Sequence, residues 1–112
     1  MAILVDGVVS EATEALRVLT RYGRVAGAFV FGSQAEGTAG PHSDIDLAAF
    51  VEGADDWDVL AEVDICCAVQ REAGDDIDLH IFPACALGGA EPASLAEHVQ
   101  KHGTRLKLGD GR

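Results

Sequence analysis

Apolar residues along this chain recur with two periods, and the switches between them divide it into helices and strands. From Ser10 to Tyr22, Ala12, Ala15, Leu16 and Leu19 fall at helical spacing, and Gly23 suits a C-terminal cap. Val25–Phe31 is a continuous apolar run rich in Val and Phe, which predicts a buried strand ending at Gly32-Ser33. Gln34 to Ser43 carries Gly37, Gly40 and Pro41 and reads as a loop with room for one helical turn. Asp44 to Val51 alternates, with Ile45, Leu47, Ala49 and Val51 on one face and Asp44, Asp46, Ala48 and Phe50 on the other. In Trp57 to Ala73, residues Val59, Leu60, Val63, Cys66 and Cys67 form an apolar stripe at helical spacing, ended by Gly74. Asp76 to Phe82 is a third strand, with Ile77, Leu79 and Ile81 opposite Asp78, His80 and Phe82, closed by Pro83. A last helix opens at the capping box Ser94-Leu-Ala-Glu97 and runs to about His102.

This order predicts an α+β protein of two layers, in which a small three-stranded mixed sheet is packed by three or four helices. With 112 residues and 48% hydrophobic composition, a single domain spanning 1–112 with a modest core is expected. No apolar run approaches the ~20 residues of a membrane helix. Met1–Asp6 has no basic region before its short apolar stretch, which argues against a signal peptide, and the expected compartment is cytoplasmic. Cys66, Cys67 and Cys85 lack the spacing of a zinc or redox motif and read as small apolar residues in a reducing compartment. His98 and His102 lie one turn apart, but with no third ligand in sight they read as exposed helix positions. Asp55 to Asp58 reads as a helix start, with acids at the positive end of the dipole.

The formal charge of −11 repels a nucleic-acid backbone, so a nucleic-acid partner is not expected. It repels a free nucleotide as well, so any triphosphate contact must run through divalent cations. Asp44 and Asp46 supply a place for them. Residues two apart on a strand lie roughly 6.5–7 Å apart. Two carboxylates there can converge on one hard cation, or share two cations about 3.5–4 Å apart. Asp is a poor strand former, and its double placement in an apolar strand asks for a reason. Gly32 allows close approach of the backbone to a ligand, and the Ser33 hydroxyl and nearby amides can donate to phosphate oxygens. Neither feature alone is specific, because strand ends often carry acids and turns are rich in Gly and Ser. The 32–37 stretch lacks both the dinucleotide-binding and the P-loop patterns.

Gly32-Ser33, ten intervening residues, then Asp44-Ile45-Asp46 resembles the signature of the DNA polymerase beta-like nucleotidyltransferase superfamily. The stretch Phe31 to Leu47 is similar to the minimal nucleotidyltransferase branch, which includes MntA-type antitoxins that pair with HEPN-domain toxins. The resemblance implies the nucleotidyltransferase fold and transfer of a nucleoside monophosphate from ATP or another NTP to an acceptor hydroxyl. It implies two Mg²⁺ ions, with Asp44 and Asp46 binding both. Gly32 and Ser33 would hold the β- and γ-phosphates. A third acid on a later strand completes the family's metal site, and Asp75, Asp76 and Asp78 are available. The family's aspartate–apolar pair matches Asp78-Leu79, and strand parity agrees, so Asp78 is preferred over Asp76. His80 shares the face of Asp78 and reads as a hydrogen-bonded neighbour.

The chain departs from the branch at two positions. Gln34 and Glu36 stand where members commonly carry Arg. An amide and a carboxylate thus replace the guanidinium fork at the triphosphate. Three consequences stay open: weaker nucleotide binding, substitution by another base such as Arg71 or Lys101, or loss of activity. Beside the enzyme, a partner-binding module acting by complex formation and an aminoglycoside-type transferase are the alternatives. The latter usually carries an extra helical domain that this chain lacks. A domain of this size has no room for separate acceptor recognition, so a HEPN-type partner chain or a homo-oligomer is expected.

Overall fold

The structure is a computed structural model that describes residues 6–37, 40 and 44–108. Its elements run α1 (Asp6–Leu19), β1 (Val25–Phe31), α2 (Ser33–Glu36), β2 (Ile45–Val51), α3 (Val59–Ala73), β3 (Ile77–Pro83), α4 (Leu95–His102) and β4 (Thr104–Arg105). The α+β class holds, but the mixed sheet has four strands in the order β3-β2-β1-β4. The unforeseen β4 pairs antiparallel with Phe29 and Val30, and Leu106 N donates to Ala28 O at 2.8 Å. β1 and β2 are antiparallel, and β2 and β3 are parallel, joined by α3.

Both faces of the sheet are covered. Ile45, Leu47, Ala49 and Val51 share a core with Ala12, Leu16 and Leu19 of α1 and with Ile65, Ala68 and Val69 of α3. On the other face Phe29, Phe31, Ala48 and Phe50 pack against Ala96 and Val99 of α4, with Phe82 and Leu87 at the margin. The rings of Phe50 and Phe82 stack at 5.1 Å, and Phe29 meets Phe50 edge-on at 5.8 Å. This double covering is why β1 reads as a continuous apolar run instead of an alternating one. Pro83 ends β3, an edge strand, where a missing N–H costs no ladder bond.

Four helix expectations need correction. α1 spans Asp6–Leu19, not Ser10–Tyr22; turn bonds from Arg21 N to Val18 O and Tyr22 N to Leu19 O end it. Gly23 serves close packing, since a Cβ there would lie 2.7 Å from Val51 Cγ1. α3 starts at Val59 because the Asp58 side chain caps it, accepting from Ala61 N at 2.8 Å. Its buried residues are Ile65, Ala68 and Val69, whereas Val59, Leu60 and Val63 of the stripe are exposed. The Ser94 cap holds, with Glu97 N donating to Ser94 Oγ at 3.2 Å; Glu97 Oε1 accepts in return from Ala93 N, one residue before the cap.

Candidate metal and nucleotide site

The site is built where β1 leaves the sheet beside the first residues of β2 and β3. Phe31, the last residue of β1, is the cross-strand partner of Asp46, and Asp46 is in turn level with Asp78 on β3. Two carboxylates thus lie side by side across a parallel strand pair. His80, two residues on, shares the face of Asp78. Its Nε2 lies 3.3 Å from Asp78 Oδ2, and its ring meets Phe31 edge-on at 5.3 Å. Among the described residues, Asp46, Asp78 and His80 form one cluster, each offering a ligand atom within 4.8 Å of the others.

Gly32 closes the site on the β1 side. Its φ of +70° and ψ of −149° fall in a region essentially reserved for glycine. A Cβ at this position would also overlap Asp46 Oδ2. The main chain therefore lies directly against the Asp46 carboxylate, and only glycine permits both conformation and contact. Ser33 follows as the first residue of α2, which Gly37 ends in the left-handed region. Glu36 N donates to Gly32 O at 3.0 Å, fixing the turn.

The electrostatics set two acids against each other. Burial pushes the Asp46 carboxyl above the ordinary aspartate range, and the neighbouring charge of Asp78 and a hydrogen bond to it push the same way. His80 opposes the shift, and Asp44 adds to it. A half-buried acid beside a second acid is relieved by a divalent ion. The two carboxylates suit Mg²⁺ or Mn²⁺, and the same pair with the imidazole nitrogen added suits Zn²⁺.

The other expected residues fall as follows. Asp44 precedes β2 and is exposed; its charge reaches Asp46, but its carboxylate lies outside the cluster of three. Its carbonyl accepts from Gln34 Nε2 at 3.5 Å. Asp76 faces Glu11 of α1, whose carboxyl is raised to about 7, first by a hydrogen bond to Asp76, then by burial and by the charges of Asp76 and Asp75. Asp78, not Asp76, is thus the acid beside Asp46. Glu36 and Arg71 are exposed, and Lys101 pairs with Glu97 at 3.8 Å. His98 and His102 are exposed with rings 4.9 Å apart, and the three cysteines are free. Thr38, Ala39 and Pro41–Ser43 of the expected loop lie outside the described residues. Sequence reasoning passed over His80 as a cluster member, although its parity with Asp78 was visible.

The Polymerase beta, Nucleotidyltransferase family matches residues 14–110, a span that contains every element from the second half of α1 to β4. The chain belongs to this nucleotidyltransferase family. No curated protein matches the sequence. Two solved structures share the fold. One is a Sulfolobus solfataricus protein assigned as a nucleotidyltransferase, with a TM-score of 0.57 and 20% identity over 72% of this chain and 71% of that one. The other is a toxin–antitoxin complex with AMP-PNP, with a TM-score of 0.61 and 25% identity over 89% of this chain and 75% of that one. The first shows the fold alone; the family match and the second structure are consistent with the minimal nucleotidyltransferase branch. No helix among the described residues is long and apolar enough to cross a membrane.

Proposed function

We propose that residues 1–112 act as one minimal, cytoplasmic nucleotidyltransferase domain that moves a nucleoside monophosphate from an NTP, ATP foremost, to an acceptor hydroxyl. The observation that carries this reading is the Asp46 carboxylate set directly against Gly32, with Asp78 level beside it on β3. Asp46 and Asp78 would hold Mg²⁺, with the imidazole of His80 within reach, and Asp44, at the strand entry, would help hold a second ion. When bound, the ions supply charge neutralisation for the triphosphate and for the attacking and leaving oxygens. The Gly32 backbone and the Ser33 hydroxyl orient the β- and γ-phosphates. An oxygen–phosphorus bond forms between the acceptor hydroxyl and the α-phosphorus, and the bond from α-phosphorus to the bridging oxygen breaks, releasing pyrophosphate. Asp78, with its side chain 58% exposed, is open to take the hydroxyl proton. Positioning and electrostatics carry the rate, with little covalent work by the protein.

The acceptor is best read as a hydroxyl, such as a tyrosine, of a HEPN-domain toxin, which gives the chain an antitoxin role. Support comes from the toxin–antitoxin structural neighbour and from a net charge of −11, which disfavours an RNA or DNA acceptor. A second reading, neutralisation by complex formation alone, is favoured by Gln34 and Glu36 at positions where basic residues would grip the triphosphate. A third, modification of an aminoglycoside-type small molecule, has only the shared core behind it. Incubation with α-labelled ATP, Mg²⁺ and a HEPN-domain partner separates the three. Label on the partner that disappears in Asp46→Asn and Asp78→Asn supports the transferase. A stable complex without label supports the binding module, and label found only on small molecules supports the third reading.

A further inference from the structure

The apolar stripe of α3 faces away from the core. Val59 and Leu60 are each 76% exposed and Val63 is 51% exposed, although all belong to a well-formed helix with a capped start. Val59, Val63 and Cys67 recur every four residues, so they stack along one line, with Leu60 filling the side of that line. The opposite side of the same helix carries Ile65, Ala68 and Val69, which are buried. α3 is therefore apolar on two opposite faces, and the sheet uses one of them. A helix apolar all round is a buried helix, so the second face lacks its cover. Single exposed apolar residues need no explanation, but a continuous line of them on one helix does.

The surroundings select what covers it. Asp58 caps the head of the stripe, Glu62 flanks one side and Asp64 the other, all exposed. Arg71 is the one base of the helix, in its last turn. A second copy of this chain docked through the same line would bring acidic rims together on molecules that each carry −11. A partner with an apolar ridge bordered by Lys or Arg meets complementary charge on both rims. We infer that the outer face of α3 is a docking surface for an amphipathic helix of another protein, apolar along its ridge and basic along its flanks.

α3 covers the sheet face opposite the one that carries Asp46 and Asp78, so the docking surface and the acidic site are separate. The inference deepens the partner side of the proposed function, but docking does not depend on catalysis and is read separately from it.

The test uses the full chain and a fluorescein-labelled designed helical peptide, with leucines along one face and lysines flanking them. A matched peptide carries glutamates in place of the lysines. The exposed pair is changed in Leu60→Ser/Val63→Ser, and Val9→Ser on α1, 37% exposed, is the control. Circular dichroism melts check that each variant folds. Binding of the lysine peptide by the wild type and Val9→Ser, weakened at least about tenfold in Leu60→Ser/Val63→Ser and by added salt, is expected. The glutamate peptide should not bind. Equal binding by Leu60→Ser/Val63→Ser, equal binding of the glutamate peptide, or no binding of either peptide overturns the proposal. So does sedimentation showing a dimer of the wild type that Leu60→Ser/Val63→Ser dissolves, since the occupant would then be a second copy. An Asp46→Asn variant that binds the lysine peptide normally but transfers no label separates this surface from the catalytic reading.

Discussion

Replacing Asp46 by Asn should make the metal-free protein more stable while destroying its response to metal. Asp46 is level with Asp78, and the two offer oxygens within 4.8 Å of one another. At that distance two unit charges repel by about 3.5 kcal/mol in a protein-surface dielectric and by about 0.9 kcal/mol in water. The Asp78 side chain is 58% exposed, which places the pair near the lower figure, at about 1 kcal/mol. Removing the charge at Asp46 with an amide of the same shape relieves that repulsion. In a domain of this size about 1 kcal/mol raises the melting temperature by about 4 °C. Scanning calorimetry in EDTA and then in Mg²⁺ or Mn²⁺ reads both effects. The wild type should gain stability on adding metal, by mass action on the folded state, and Asp46→Asn should not. The pH dependence has a matching sign. Because the folded-state pKa of Asp46 is raised, its contribution to stability is fully present below the ordinary aspartate range and is lost as pH rises through the raised value. A variant that melts lower than the wild type in EDTA, or that keeps the full metal response, would refute the reasoning.

Three further predictions rest on other parts of the structure. Gly32→Ala should lose about 1–3 kcal/mol from backbone strain alone, with displacement of Asp46 by the new Cβ, so the metal response should fall along with the urea midpoint. An unchanged midpoint would mean that the turn is not held as described. Phe50→Ala removes a fully buried ring packed between Phe29 and Phe82 and should cost about 3–5 kcal/mol, read by denaturant titration, where a loss under about 1 kcal/mol would contradict the packing. Glu11, raised to about 7 against Asp76 and Asp75, should make the wild type lose stability between about pH 4.5 and pH 7, and Glu11→Gln should flatten that window in urea melts at stepped pH. An identical pH profile for the two proteins would show that Glu11 titrates normally.

Much of the site was legible in the chain because strands have a strict two-residue period. The parity of Asp46 against Leu47 and of Asp78 against Leu79 placed both acids on the face away from the α1–α3 core, which is where they lie. That parity did not reveal that Asp44 precedes the strand, because a residue can share a face yet sit where the chain is still entering from a loop. The preference for Asp78 over Asp76 has a physical counterpart: Asp76 belongs to the turn after Gly74 and meets Glu11 instead. α3 was legible as a helix but not in its orientation. Val59, Leu60, Val63 and Cys67 follow helical spacing as well as Ile65, Ala68 and Val69 do, so periodicity alone cannot say which face turns inward. β4 has two residues, too few to show any period, and exists because the chain after Gly103 returns against Val30.

The central claim is that metal and nucleotide meet at Asp46, Asp78 and the Gly32-Ser33 turn. Nitrogen-15 correlation spectra of the full chain, recorded while Mn²⁺ and ATP are added in small steps, test it most directly. Paramagnetic broadening should reach the amides of Gly32, Ser33, Asp46, Asp78 and His80 first and spare the middle of α1. Broadening that begins instead at the acidic stretch Asp55–Asp58, or that spreads evenly over the acidic surface, would contradict the account.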